Sequence, residues 1–418
     1  MKQMLHTPEG MRDIYNEEYA KRLFVEGKVR AVMNSFGYND IKTPTLEFFD
    51  IFKKERGSVS TQEMFKLFDS DNNTLVLRPD MTPSIVRCVS KYYTYDELPV
   101  RICYQGNTFI NDRKYRLRLK ECADAGAELF GDDSVTADAE MIACCIECLK
   151  AAGLKDIQIS VGSAAFLSGL FEEIGFSEEI EADIRRLLIA KNFFALDTLL
   201  QKENLTARQK EVFARLNVFN GNISQVLRME ALVKNEKARE AVRRLKALNK
   251  ILGYYGLSRY ISYDLGMMTS YQYYTGIIFS GYTYGIGNAI VSGGRYDTLM
   301  KQFNYDAPAV GFKISMDSVM TALDRQGIET PVSMTDGLVI LSEDEEARGI
   351  ALATALRKKG LKVASRCCLS FEGIDDYINY AKKNKMKKVY AMTDEDTVII
   401  YDINGNSEKV AIASLMEE

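Results

Sequence analysis

The residues best placed for chemistry lie between Val100 and Gly131, VRICYQGNTFINDRKYRLRLKECADAGAELFG. An extended run to Phe109, a charged connection from Asn111 to Tyr115 and a second extended run closing on Glu128 and Gly131 predict a strand hairpin. Its loop and flank concentrate Asp112, Arg113, Lys114, Arg116, Arg118 and Lys120. A basic hairpin of this kind can hold a phosphorylated ligand on its floor, and it can equally be a solvated tip. Upstream, Arg78 and Asp80 flank a junction between a strand and a helix that begins near Met81 or Thr82. Side chains and free helix N–H groups at such a junction often face a ligand, and a structural Arg–Asp pair is the competing reading.

Several chemistries are excluded or made remote by composition. His6 is the single histidine, so a multi-histidine metal site is excluded and a Ser-His-Asp triad is very improbable. The eight cysteines are scattered through apolar segments, which suits a reducing compartment better than a disulfide framework. Cys145 and Cys148 form a CxxC, but MIACCIECLKAAG reads as a helix, and no second pair stands at metal-ligand spacing. Gly285 and Gly287 lack the third glycine and acidic residue of a dinucleotide fingerprint. With Lys+Arg 54 against Asp+Glu 58 the net charge is -4, so any nucleic-acid partner would need a local basic patch. No run of about eighteen apolar residues is present and the N-terminus has no targeting pattern, so a cytosolic protein is expected.

The elements that position these residues follow from periodicity. A helix is predicted over about 16–36, and residues 37–52 contain an edge strand interrupted by Pro44. Two strands around the turn at Asp71–Asn73 lead to Arg78 and the helix bearing Pro83, a residue tolerated in a first turn. Beyond the hairpin come a helix from about Asp133 to Ala152, a strand from Asp156 to Val161, and a charged helical insertion over about 166–248. Strands then resume in RYISYDLGMMTSYQYYTGIIFSGYTYGIGNAIVSGGRYDTL, where alternation puts Tyr273 and Phe279 on one face and Tyr274 on the other. A break near 324–336 separates residues 1–325 from a small α/β domain over 336–418, predicted as βαβαββ.

Taken in order, five segments resemble the histidyl-tRNA synthetase family. FGYNDIKTPTLEFFDIF is similar to its dimer motif, YQGNTFI through AELFG to its second motif, DLGMMTSYQYYTG and SGGRYDTL to the two histidine signatures, and PAVGFKISMDSV to its third motif. The resemblance covers nearly the whole chain. It implies an α+β fold: a class II synthetase-like antiparallel sheet core with a helical insertion, followed by a C-terminal domain resembling an anticodon-binding domain. It also implies a dimer. The histidine pocket of the family falls on Asp80, Thr82, Glu128, Tyr273 and Tyr274, while Asp124 stands where the family has Gln. The cations that serve adenylate chemistry fall on Ile110, Thr269 and Ser318. Such donors are each worth about a hundred- to a thousand-fold in rate.

An amino-acid site kept and a nucleotide site lost resemble the regulatory subunit of ATP phosphoribosyltransferase, and LRPDMTPSIVR is close to that subfamily's version of the segment. This resemblance implies a noncatalytic, histidine-sensing protein that works with a short catalytic subunit in the first step of histidine biosynthesis, with no cofactor, no metal, no membrane and no tRNA partner. Two alternatives stand beside it. One is an active histidine–tRNA ligase with cations relocated to Arg113, Arg116 or Arg118, and the other is a synthetase-derived RNA-binding or scaffold protein.

Overall fold

The computed structural model describes residues 5–53, 59–111, 119–217, 221–268, 273–332, 334–341, 345–367, 373–393 and 396–416. The chain divides into two units. Met1–Asp13 and Val25–Glu329 form the first, and Ile14–Phe24 and Thr330–Glu418 form the second. The opening helix α1, Asn16–Ser35, contributes to both.

In the first unit a short strand β1 (Asn39–Asp40) follows α1. Strands β2 (Leu46–Phe48), β3 (Lys66–Phe68) and β4 (Thr74–Leu77) then form a small antiparallel sheet in the order β2-β4-β3. Leu46 lies across from Leu77, while Phe48 and Leu67 both lie across from Leu75. All five therefore share one face. Leu46, Phe48 and Leu67 on that face are 44%, 55% and 42% exposed.

Helix α2 (Thr82–Tyr92) carries Pro83 in its first turn, as expected. The hairpin is β5 (Val100–Phe109) and β6 (Glu121–Phe130). Helix α3 (Val135–Ala151) opens on Ser134, whose hydroxyl accepts from the Ala137 N–H at 3.1 Å. Its cysteines Cys144, Cys145 and Cys148 are buried, in keeping with a packing role for the CxxC. After β7 (Ile157–Ser163) the helical lobe comprises α4 (Ala164–Ile174), α5 (Glu178–Ile189), α6 (Phe193–Leu200), α7 (Ala207–Asn217), α8 (Ile223–Met229) and α9 (Glu236–Tyr254). Strands β8 (Ile261–Tyr263), β9 (Ile277–Thr283) and β10 (Val291–Arg295), helix α10 (Asp297–Lys301), strand β11 (Ala309–Ser315) and helix α11 (Met316–Arg325) complete the unit.

The main sheet runs β1-β5-β6-β11-β10-β9-β7-β8. Its six central strands are antiparallel, with β1 and β8 added parallel at the edges. One face is apolar: Ala125, Ala127 and Leu129 of β6 and Val310, Phe312 and Ile314 of β11 enter the core that includes α3. The other face carries Tyr104, Asp124, Glu128 and Lys313, because side chains alternate with period two.

An ion cluster ties the helical lobe to this sheet. Asp138 of α3 is fully buried. Its Oδ1 accepts from Arg295 Nε and Nη2 at 2.9 and 2.7 Å, and its Oδ2 accepts from Arg244 Nε of α9 at 2.7 Å.

The second unit contains β12 (Gly337–Leu341), α12 (Glu346–Lys358), β13 (Val363–Cys367), α13 (Ile374–Lys383), β14 (Lys388–Met392), β15 (Thr397–Asp402), β16 (Ser407–Ala411) and α14 (Ile412–Met416). The sheet order is β13-β12-β14-β15-β16, parallel around β12 and antiparallel beyond β14. The expected βαβαββ pattern omitted β16 and α14. Strand β16 is a polar edge, SEKVA, without apolar alternation; the turn before it is set by Asp402 Oδ1, which accepts from the Asn404 and Asn406 N–H groups at 2.8 and 2.9 Å.

Candidate functional site

A small concavity lies on the polar face of the main sheet and is lined by Asp80, Thr82, Glu128, Tyr273, Tyr274 and Tyr296, among others. Each of its sides comes from a different part of the chain. The β4–α2 junction delivers Asp80 and Thr82, β6 delivers Glu128, and the loop leading into β9 delivers the paired tyrosines. Tyr296 follows β10 directly.

Glu128 is the centre of the polar network. Thr82 Oγ1 donates to its Oε1 at 2.7 Å, and the Tyr296 hydroxyl donates to its Oε2 at 2.5 Å. Asp80 is also buried; its Oδ1 accepts from the Met81 N–H at 2.8 Å and its Oδ2 from the Tyr273 hydroxyl at 3.3 Å. The three tyrosine rings brace one another edge to face, Tyr273 against Tyr274 at 5.0 Å and against Tyr296 at 5.8 Å between centroids. Two carboxyl groups among phenols suit a ligand with several N–H donors, because each carboxyl group retains accepting capacity.

The sheet has no side chain at Gly311, directly across from Glu128. A Cβ there would overlap the Glu128 carboxylate, so glycine is what allows that group to lie flat over β11.

Burial pushes the Glu128 carboxyl up to about 8, against the opposing pull of the Tyr296 and Thr82 hydrogen bonds, with the charge of Asp80 acting in the same upward direction. An unfolded chain would release this proton near the ordinary value of 4.5. Between those values the folded state holds the proton more tightly, so this group's stabilising contribution is complete below the lower value and is lost as pH rises towards the upper one. Unfolding free energy is therefore expected to fall across that window by up to about 1.4 kcal/mol per pH unit. Glu128→Gln should flatten the dependence; a slope unchanged in that variant, measured by denaturant titration at several pH values, would refute it.

Two expectations need correction. Tyr273 and Tyr274 do not face opposite sides: both line the pocket, because they precede β9 in a loop where strand alternation does not apply. Arg78 does not pair with Asp80. Its guanidinium instead donates to the Asn107 carbonyl at 2.8 Å, the Thr43 carbonyl at 2.9 Å and the Pro44 carbonyl at 3.2 Å.

The positions of the missing cations are occupied by groups with other tasks. Ile110 extends the hairpin ladder, its N–H donating to the Lys120 carbonyl at 2.8 Å. Ser318 sits in the first turn of α11, its N–H donating to Ser315 Oγ at 3.3 Å. Thr269, and the basic residues Arg113, Arg116 and Arg118 of the loop, lie outside the described residues. Asp124 accepts from Thr108 Oγ1 at 2.7 Å and lies 3.6 Å from Lys313 Nζ. Tyr296 and Lys313 were not singled out from the sequence. Tyr296 was signalled only by its place in the SGGRYDTL segment, and Lys313 by being the charged residue in an otherwise apolar strand, AVGFKIS.

Residues 10–319 match the family model described as histidyl-tRNA synthetase. A protein of Acetivibrio thermocellus named ATP phosphoribosyltransferase regulatory subunit is 36% identical over 414 residues, covering 99% of both chains. This chain belongs to the ATP phosphoribosyltransferase regulatory subunit family. Its members are named for a role in the transferase of histidine biosynthesis, and a relative from Bacillus pumilus is 35% identical over 89% of this chain and 94% of its own. Among solved structures, one described as an ATP phosphoribosyltransferase regulatory subunit/histidyl-tRNA synthetase from Bacillus halodurans C covers 94% of this chain and 99% of its own. It superposes with a TM-score of 0.84 at 30% identity. A histidyl-tRNA synthetase from a Nostoc species, at 19% identity and a TM-score of 0.83, shares the fold. The class II synthetase-like architecture is thus that of the regulatory-subunit family. No helix among the described residues is long and apolar enough to cross a membrane.

Proposed function

We propose that this chain is a noncatalytic, cytosolic regulatory subunit that binds L-histidine in the pocket around Glu128 and completes an ATP phosphoribosyltransferase with a separate short catalytic subunit. The observation that carries the reading is chemical. The carboxylates and phenols suited to an amino-acid ligand are assembled and buried, whereas Ile110 and Ser318 stand where adenylate chemistry would need fixed positive charge. Aminoacylation is therefore not expected, and neither is tRNA binding at a net charge of -4.

Histidine bound at Glu128 would favour one arrangement of the assembly, and the coupling is reciprocal: ligands of the catalytic subunit must shift histidine affinity by the same factor. The partly exposed apolar face formed by Leu46, Phe48, Leu67, Leu75 and Leu77 supports self-association of this subunit as a dimer. Calorimetric titration of histidine into the full chain, alone and with the catalytic subunit, should give saturable binding, while histidine-dependent ATP–pyrophosphate exchange should be absent. No histidine binding in either setting would remove the sensing role. Robust exchange would return the protein to the ligases.

A further inference from the structure

The pocket presents acceptors for a ligand's nitrogen atoms, but an amino acid also brings a carboxylate, which calls for a donor or a cation. A cation is present. Lys313 of β11 lines the pocket and is the one basic residue among the described residues that do so. Its neighbours fix its place. In register it lies between Ser292 of β10 and Gly126 of β6, so its side chain leaves the sheet on the face that carries Glu128. Its ammonium stands 3.6 Å from Asp124 Oδ2, with the Lys313 side chain 21% exposed and that of Asp124 4% exposed. A lysine ammonium offers three donors. At that separation Asp124 holds the amine by charge.

Another observation lies in the same row. The Tyr104 hydroxyl is buried and has no hydrogen-bond partner among the described residues. It lies over Gly126, where the absence of a Cβ makes room for it. A buried donor left unmade costs about 1–3 kcal/mol. An acceptor oxygen brought in beside Lys313 would meet this need.

We infer that Lys313, held by Asp124, is the residue that receives the ligand's α-carboxylate, making this pocket selective for a zwitterionic amino acid over the corresponding amine. The inference rests on the histidine-binding reading above. It also gives Asp124 a reason to be acidic: it is the counter-charge that steers a flexible lysine, which a neutral amide would do less strongly.

The test compares L-histidine with histamine, which keeps the imidazole and the amine and lacks the carboxylate, by calorimetric titration of the full-length protein. The wild type should prefer histidine. Lys313→Met should lower histidine affinity about ten- to a hundred-fold, the loss of one charge-assisted hydrogen bond, and leave histamine affinity nearly unchanged. Lys313→Arg should keep most of the preference. Because Lys313→Met leaves Asp124 buried without its cation, the double variant Lys313→Met/Asp124→Asn guards against a folding artefact, and it too should lack the preference. A histidine-to-histamine ratio in the double variant equal to wild type would overturn the inference, reducing Lys313 to a neutraliser of Asp124. So would a Lys313→Met variant that loses both ligands equally. A wild-type protein that binds neither ligand would instead overturn the histidine-binding reading itself.

Discussion

Replacing Asp138 with alanine is expected to lower the unfolding free energy by about 3 kcal/mol. The physical reason is the asymmetry of buried ion pairs: a paired set contributes little net stability, but removing one partner leaves charge in a medium that solvates it poorly. Asp138 accepts three hydrogen bonds from two arginines, and the side chain of Arg295 is only 3% exposed. Arg295 would retain Asp297, 3.3 Å from its Nη1, which holds the expected loss to the lower end of the range for broken buried pairs. Asp138→Asn should cost less, since its carboxamide oxygen still accepts. Denaturant titration checks the values, and a loss below about 1 kcal/mol for the alanine variant would show that the cluster relaxes or hydrates. The effect should extend to the pocket, because Arg295 immediately precedes Tyr296, the donor to Glu128.

Under the proposed histidine-binding role, Gly311→Ala is expected to lower histidine affinity at least a hundredfold, and to destabilise the fold by roughly 1–3 kcal/mol. The added methyl group would occupy the space of the Glu128 carboxylate and press on the Ala127 carbonyl. Glu128 would have to swing away from both Thr82 and Tyr296, and two hydroxyl donors would lose their acceptor together. Pairing the change with Glu128→Ala should restore much of the stability while binding stays lost. That non-additivity identifies the clash as the cause. Wild-type affinity in the single variant would mean that the carboxylate at Glu128 is not what holds the ligand.

Much of this was legible in the chain. The hairpin ends, the helix start at Thr82 and the helical lobe follow from periodicity and capping, because those signals are local. Asp80 was legible at a strand-to-helix junction, and both Asp80 and Glu128 through the resemblance to the synthetase family. What joins them was not: Tyr296 reaches Glu128 across 168 residues of chain, and such a contact depends on sheet order, which one-dimensional alternation does not encode. The opposed placement of Tyr273 and Tyr274 failed for a simpler reason. Period-two reasoning was applied to residues that lie before the strand begins. Lys313 was within reach, since a lysine in the middle of AVGFKIS conflicts with its apolar neighbours, and such conflicts tend to mark functional positions.

Arg78 has a consequence for how this sequence can drift. Most of its hydrogen bonds go to main-chain carbonyls, at Thr43, Pro44 and Asn107, joining the approach to β2 with the end of β5. A carbonyl is supplied by every residue type, so the side chains at those three acceptor positions can be exchanged with the hydrogen bonds largely retained. The donor has no such freedom: lysine has neither the planar fork nor the reach to serve all three at once. One position therefore carries the constraint for three, and a comparison of acceptor sequences alone would miss that the joint exists.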